Sequence, residues 1–166
     1  MPEFSGPWAD LFRDEYSRAP NDEIRGYLSD EVISEAENQA VTEAFRKCMN
    51  SRGLTFDDFE YDGSYRFGYT QVSGPDEANE IATDCEMSTG ADQVSFLYHQ
   101  IKLNPENTDR NPDIAACLVR AGVVPSNYTA DDYKDYPVWE QAITKVDAAK
   151  ATEEACRRDP SGAFRG

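Results

Sequence analysis

The sequence predicts a predominantly helical α+β protein. It reads as two similar helix–cysteine–helix–cysteine halves with one small β-hairpin. Three observations predict this. Apolar residues recur at the 3.6-residue helical period through most of the chain. Between residues 54 and 70 the period switches, and aromatic residues flank an Asp-Gly pair. The four cysteines fall at matched positions. Cys48 and Cys117 each stand five residues before a glycine, Gly53 and Gly122, and Cys85 and Cys156 follow them at 37 and 39 residues.

The elements follow in order. Residues 1–31 predict two short helices. Ser5-Gly6-Pro7 offers a cap and a first-turn proline, and Trp8, Leu11, Phe12 and Tyr16 share a face. Asn21 caps the second helix, through Ile24, Tyr27 and Leu28. The next helix is the clearest. Ser34 and Glu37 form a capping box, and Ile33, Ala36, Ala40, Val41, Ala44, Cys48 and Met49 carry the period to Gly53. The hairpin comes next, with Phe56, Phe59 and Tyr61 on one arm and Tyr65, Phe67 and Tyr69 on the other. Pro75 opens a helix through Ala78, Ile81, Ala82 and Cys85, closed by Gly90. A loop then leads to a short helix near Phe96 to Leu103, and Asn104 to Pro112 reads as a linker. In the second half, Ile114, Cys117, Leu118 and Ala121 form a stripe ended by Gly122. Pro125 to Asp135 reads as a loop with a turn opening at Thr129. Val138, Trp139, Ala142, Ile143, Val146, Ala149 and Cys156 predict one long helix, broken by Asp159-Pro160-Ser161-Gly162. The expected organisation is one compact domain over 1–166, its halves at 20–90 and 111–158.

Composition limits function. The 166 residues carry 32 acidic and 16 basic side chains, a net charge of −16. Binding nucleic acid through phosphates needs clustered Lys and Arg, so no nucleic-acid partner is expected. The same balance disfavours a polybasic grip on lipid. Mean hydropathy is −0.71, yet 17 Phe and Tyr residues argue for a folded core. No apolar run is long enough to span a bilayer, and Met-Pro-Glu-Phe lacks the features of a signal peptide.

The cysteines allow three readings: disulfides, buried thiols or a metal site. Zinc is disfavoured because there is no C-x-x-C and His99 is the only histidine. The even count and matched spacing favour two disulfides. Of three connectivities, Cys48–Cys85 and Cys117–Cys156 suit the plan, because each ties two helices of one half. Disulfides in turn imply an oxidising compartment.

Candidate chemistry is sparse. Asp58-Phe59-Glu60-Tyr61-Asp62-Gly63 resembles the start of a calcium-binding loop, but the twelfth position would be Tyr69, where a bidentate Glu is required. A histidine-dependent nucleophile would have to use His99, which is expected on the surface or a helix face, and no G-x-S-x-G is present. Carboxylate neighbours such as Asp57/Asp58, Asp131/Asp132 and Glu153/Glu154 could serve a glycosidase, yet among 32 acids adjacency carries little information. No glycine-rich phosphate loop exists, so no cofactor is expected. On the hairpin, Tyr65, Phe67 and Tyr69 are expected on one side, with Phe59 and Tyr61 opposite. One side packs on the helices. The other could bind glycan, peptide or protein, which makes Tyr61, Tyr65, Phe67 and Tyr69 candidate binding residues.

Phe45-Arg46-Lys47-Cys48-Met49 with Gly53, followed by Thr83-Asp84-Cys85, resembles a set of actinobacterial cell-envelope proteins classed as lipoproteins. Ala116-Cys117-Leu118 with Gly122, and Glu153-Glu154-Ala155-Cys156-Arg157, fit the same pattern, as does the lead-in Tyr27 to Ser34. The resemblance covers about residues 20–158. It implies a secreted or surface-anchored protein, held to the membrane only through an N-terminal lipid-bearing cysteine that this sequence does not show. It implies no catalytic residues. The expected function is therefore a non-catalytic extracytoplasmic binding or accessory protein, with an envelope protein or a small ligand as partner. The alternatives are a cell-wall hydrolase using paired carboxylates and a secreted inhibitor or immunity-type protein.

Overall fold

A computed structural model describes residues 1–164 of the chain. The class is α+β and mostly helical, with one two-stranded antiparallel hairpin. The backbone divides into two compact units, Met1–Asn107 and Thr108–Gly166, and each has its own hydrophobic cluster. The expected halves, 20–90 and 111–158, lie one in each unit.

The first unit opens with α1 (Ala9–Arg18) and α2 (Asp22–Tyr27), and Asn21 Oδ1 accepts the Ile24 amide as expected. The chain before α1 is held by Glu31, whose carboxylate accepts the amides of Ser5 and Gly6 at 2.8 and 2.9 Å. Helix α3 (Glu35–Ser51) begins at the Ser34/Glu37 capping box and buries Val41, Phe45 and Met49. Strands β1 (Leu54–Phe59) and β2 (Tyr65–Tyr69) form the hairpin, and α4 (Pro75–Thr89) follows. The Cys48–Cys85 disulfide ties α3 to α4.

Three expectations need correction. First, the segment after α4 is no loop. Gly90 takes a left-handed conformation (φ 73°), and a π-helical turn, Ala91–Ser95, runs straight into α5 (Phe96–Leu103). Close packing selects this path. A Cβ on Gly90 would lie 2.8 Å from the Ile24 side chain, and Ala91, Val94 and Ser95 are buried.

Second, Phe59 does not lie on the opposite face of the hairpin from Tyr65. The register pairs Phe56 with Phe67 and Phe59 with Tyr65, so β1 has one residue more than β2 between these rungs. This bulge turns Phe59 back to the side of Phe56. There Phe45, Phe56, Phe59 and Tyr65 form one aromatic cluster, with ring centroids 4.8 to 5.7 Å apart. Burying Phe59 beside Phe45 outweighs strict strand alternation.

Third, the long helix of the second unit is two. After α6 (Asn111–Arg120) and α7 (Ala130–Asp135, opened by a Thr129/Asp132 capping box) come α8 (Val138–Gln141) and α9 (Val146–Arg158). The chain is extended at Ala142, and the Ile143 amide donates to the Val123 carbonyl at 2.9 Å instead of to a helical partner. Trp139, Ile143 and Val146, read as part of that one long helix, are exposed. Val138, Ala149 and Cys156 do join Leu118, Val123 and Val124 in the core. The Cys117–Cys156 disulfide ties α6 to α9. Both pairings are those expected, and no free cysteine is present. Such bridges point to an oxidising environment. Among the described residues no helix is long and apolar enough to cross a membrane.

Candidate functional site

A polar groove of about 460 Å³ opens between α3, β1 and α5 of the first unit. Helix geometry builds its floor. Glu35, Asn38, Thr42 and Arg46 recur at steps of three and four along α3, with Gln39 and Glu43 beside them. Asp58 and Phe59 enter from β1, carried there by the bulge. Tyr98, His99 and Lys102 enter from α5.

The hairpin turn sets the distance between β1 and α5. Gln100 Nε2 donates to the Asp62 carbonyl at 2.9 Å. Gly63 (φ 81°) sits so close to α5 that a Cβ there would meet His99 Cβ at 3.4 Å and Phe96 Cα at 3.6 Å. A left-handed backbone at a close approach is a glycine position.

The ionisable groups are largely paired with one another. Tyr98 Oη donates to Glu35 Oε2 at 2.9 Å, and Lys102 Nζ donates to Tyr98 Oη at 3.0 Å. Arg46 pairs with Glu43, and its Nη2 and Nε donate to the Asp57 carbonyl at 2.7 and 3.2 Å. That carbonyl lies in the bulge, where the ladder register gives Asp57 no partner. Asp58 Oδ1 accepts the Phe59 amide at 2.8 Å. Burial lowers the His99 pKa below the usual histidine value, partly offset by a hydrogen bond to the Tyr61 backbone, so its imidazole is neutral at pH 7. One group stands apart: Asn38 Oδ1 is buried and has no hydrogen-bond partner among the described residues.

The hairpin candidates lie elsewhere. Tyr65 and Phe67 are half-buried and face the core beside α3, and Tyr69 is exposed at the end of β2. Burial and the Glu86 carboxylate, which accepts the phenol, push the Tyr65 pKa up. Tyr61 occupies the turn, where its backbone meets His99. The four are thus not gathered on one open face, and the opposite side of the sheet offers Thr55, Arg66 and Gly68. His99 is on a helix face, half-buried and 6.2 Å from the Phe59 ring.

A second polar group lies inside the first unit. Glu15 is 5% exposed, with Oε1 on Arg18 at 2.5 Å and Oε2 unpartnered among the described residues. Burial and the Glu15 charge raise the pKa of Asp92 on the π-helical turn. Burial also raises that of Glu86.

Sequence reading missed the groove. Its α3 residues look like an ordinary solvated helix face, and only the run of neutral polar residues Asn38, Gln39 and Thr42 in so charged a chain marks it. The chain matches no protein-family model, no curated protein and no solved structure.

Proposed function

We propose that this chain is a non-catalytic binding or accessory protein of the cell envelope, working outside the cytoplasm, and that it holds its ligand in the α3–β1–α5 groove. One observation carries this reading. The charged groups lining the groove are engaged with neighbours, so the surface is preorganised to hold a molecule. Preorganised polar groups beside aromatic walls suit binding. The two disulfides support an oxidising location, and the likeness of the cysteine segments to envelope lipoproteins supports a secreted or lipid-anchored form.

A hydrolase reading has one observation in its favour. Glu86 and Asp92 are both half-buried acids of raised pKa, and each raised acid is a candidate proton donor. Yet Glu86 is bound to the Tyr65 phenol and Asp92 stands beside buried Glu15.

Titration of isotope-labelled protein with the low-molecular-weight fraction of an envelope extract tests the proposal. Amide shifts centred on Asn38, Thr42 and His99 are expected. Shifts confined to other regions would remove the groove from the reading. Release of sugar ends from cell-wall material, lost in Glu86→Gln or Asp92→Asn, would replace binding by hydrolysis.

A further inference from the structure

We infer that the groove takes a small organic cation, a primary amine, seated between Asp58 and Phe59; this rests on the binding reading above and names its ligand class. Three carboxylates stand beside aromatic rings along the groove, and two of these pairings hold a cation of the chain. Arg46 pairs with Glu43 and lies over the Phe56 ring, 5.8 Å from its centre. Lys102 Nζ lies 4.7 Å from the centre of the Tyr98 ring and donates to the Tyr98 hydroxyl, which in turn donates to Glu35. The third pairing is Asp58 with Phe59, and both line the groove. Asp58 is exposed and accepts the Phe59 amide, but among the described residues no Lys or Arg lies within ion-pair distance of it. A carboxylate oriented by a neutral donor keeps its full charge and its remaining lone pairs. An aromatic ring beside it favours a cation further.

The charge balance points the same way. The lining carries Glu35, Glu43 and Asp58 against Arg46 and Lys102. His99 feels the Asp58 charge yet is neutral at pH 7, so it does not compensate that carboxylate. Three negative charges against two positive leave one uncompensated, which a ligand with a single positive charge neutralises. The surrounding unit adds its field. Met1–Asn107 holds 22 acidic and 8 basic side chains, a net charge of −14 within the chain's −16. Such a field concentrates cations at the surface and repels anions.

The shape and the donors select an organic cation over a metal ion. A metal ion needs several oxygen ligands on one point, and among the described residues no three His, Cys, Asp or Glu side chains are placed to hold one. The groove volume, about 460 Å³, lies in the range of small-molecule sites, roughly 300–1,000 Å³. Phe59 and His99, with ring centres 6.2 Å apart, offer carbon surface to the body of such a molecule. An ammonium group brings three donors and no acceptor. Asp58 accepts one, and Thr42 Oγ1, whose own proton goes to the Asn38 carbonyl at 2.8 Å, is also an acceptor in the lining.

The experiment titrates isotope-labelled protein, at low ionic strength and pH 7, with two series of probes. One is butylamine, 1-butanol and butyrate; the other is benzylamine, benzyl alcohol and benzoate. Each series keeps its carbon skeleton while the charge changes. At least one amine is expected to shift the amides of Asp58, Phe59 and His99 saturably, and its alcohol and acid to leave them in place. Asp58→Asn keeps the acceptor for the Phe59 amide and removes the charge, and is expected to weaken the amine about tenfold or more. Glu80→Gln removes the same charge from an exposed position on α4 outside the groove, and is expected to change affinity by less than about twofold, because salt screens distant charges. Thermal unfolding confirms that both variants fold. Groove shifts from an alcohol or an acid as large as from its amine would overturn the ligand class and leave groove binding intact. Equal weakening in the two variants would trace attraction to the general field and overturn the site at Asp58, as would unchanged affinity in folded Asp58→Asn. Silence from both amines would overturn the inference; groove shifts from the envelope extract would then leave the binding reading standing, and silence from the extract as well would overturn both.

Discussion

Replacing Cys117 and Cys156 by alanine should unfold the second unit and leave the first folded. The bridge joins α6 to α9 across a sequence separation of 39, which by the chain-entropy relation stabilises by roughly 4 kcal/mol. The unit it closes spans Thr108–Gly166, and a core of that size alone supplies roughly 3–5 kcal/mol. Its apolar content is modest: Ile114, Leu118, Val123, Val124 and Val138 are its buried aliphatic residues larger than alanine. Both sulfurs are fully buried, so alanine also leaves unfilled space. The two losses together match or exceed the stability available. Each unit carries one tryptophan, Trp8 in the first and Trp139 in the second, so indole NMR signals report on them separately. In the double variant the Trp139 signal should reach its unfolded position at a temperature where the Trp8 signal is still native. A shared midpoint for both indoles, or a Trp139 midpoint within about 1 kcal/mol of wild type, would refute the reasoning.

Two further predictions concern the first unit. Gly63→Ala should cost about 1–2 kcal/mol, from the left-handed backbone, and more if His99 cannot yield; chemical denaturation measures the cost, and amide shifts should cluster at His99 and Gln100. Asp92→Asn should raise the melting temperature at neutral pH and flatten its dependence on pH. Burial, then Glu15, holds the folded-state pKa of Asp92 above its unfolded value, with Arg18 opposing. In that window the folded chain binds more protons than the unfolded one, so this stabilisation is present in mild acid and lost as pH rises through the folded pKa. Glu86 acts in the same sense. His99, with its lowered pKa, acts in the opposite sense, so the difference between variant and wild type is the quantity to follow. A pH profile that is parallel in both proteins would defeat this account.

Local chemistry was readable from the chain where the signal lies within a few residues. The caps at Asn21, Ser34 and Thr129 involve side chains three residues from their targets, and each forms as the pattern implies. Gly53, Gly90 and Gly122 all take positive φ at helix ends for the same reason. The cysteine pairing was readable because matched spacing repeats a whole half. Where the reading failed, a distant residue decides the outcome. The α8–α9 break depends on Val123, whose carbonyl takes the Ile143 amide across twenty residues. Apolar period alone cannot show that bond, because Trp139 and Ile143 fit a helical stripe as well as they fit an exposed surface.

The bulge in β1 connects that lesson to the site. Phe56 and Phe59 are three apart, a spacing that fits neither strand alternation nor, within so short a run, a helix. Taken seriously, it already requires an extra residue if both rings are to reach Phe45. The same extra residue frees the Asp57 carbonyl, and Arg46 takes it, which holds the guanidinium over the Phe56 ring at 5.8 Å. It also brings Phe59 to the groove beside Asn38 and His99. A packing requirement of the aromatic core therefore shapes the polar groove. Moving Phe59 by one position would lose a core ring and a wall of the groove together, so core and site are expected to constrain the residues of β1 jointly.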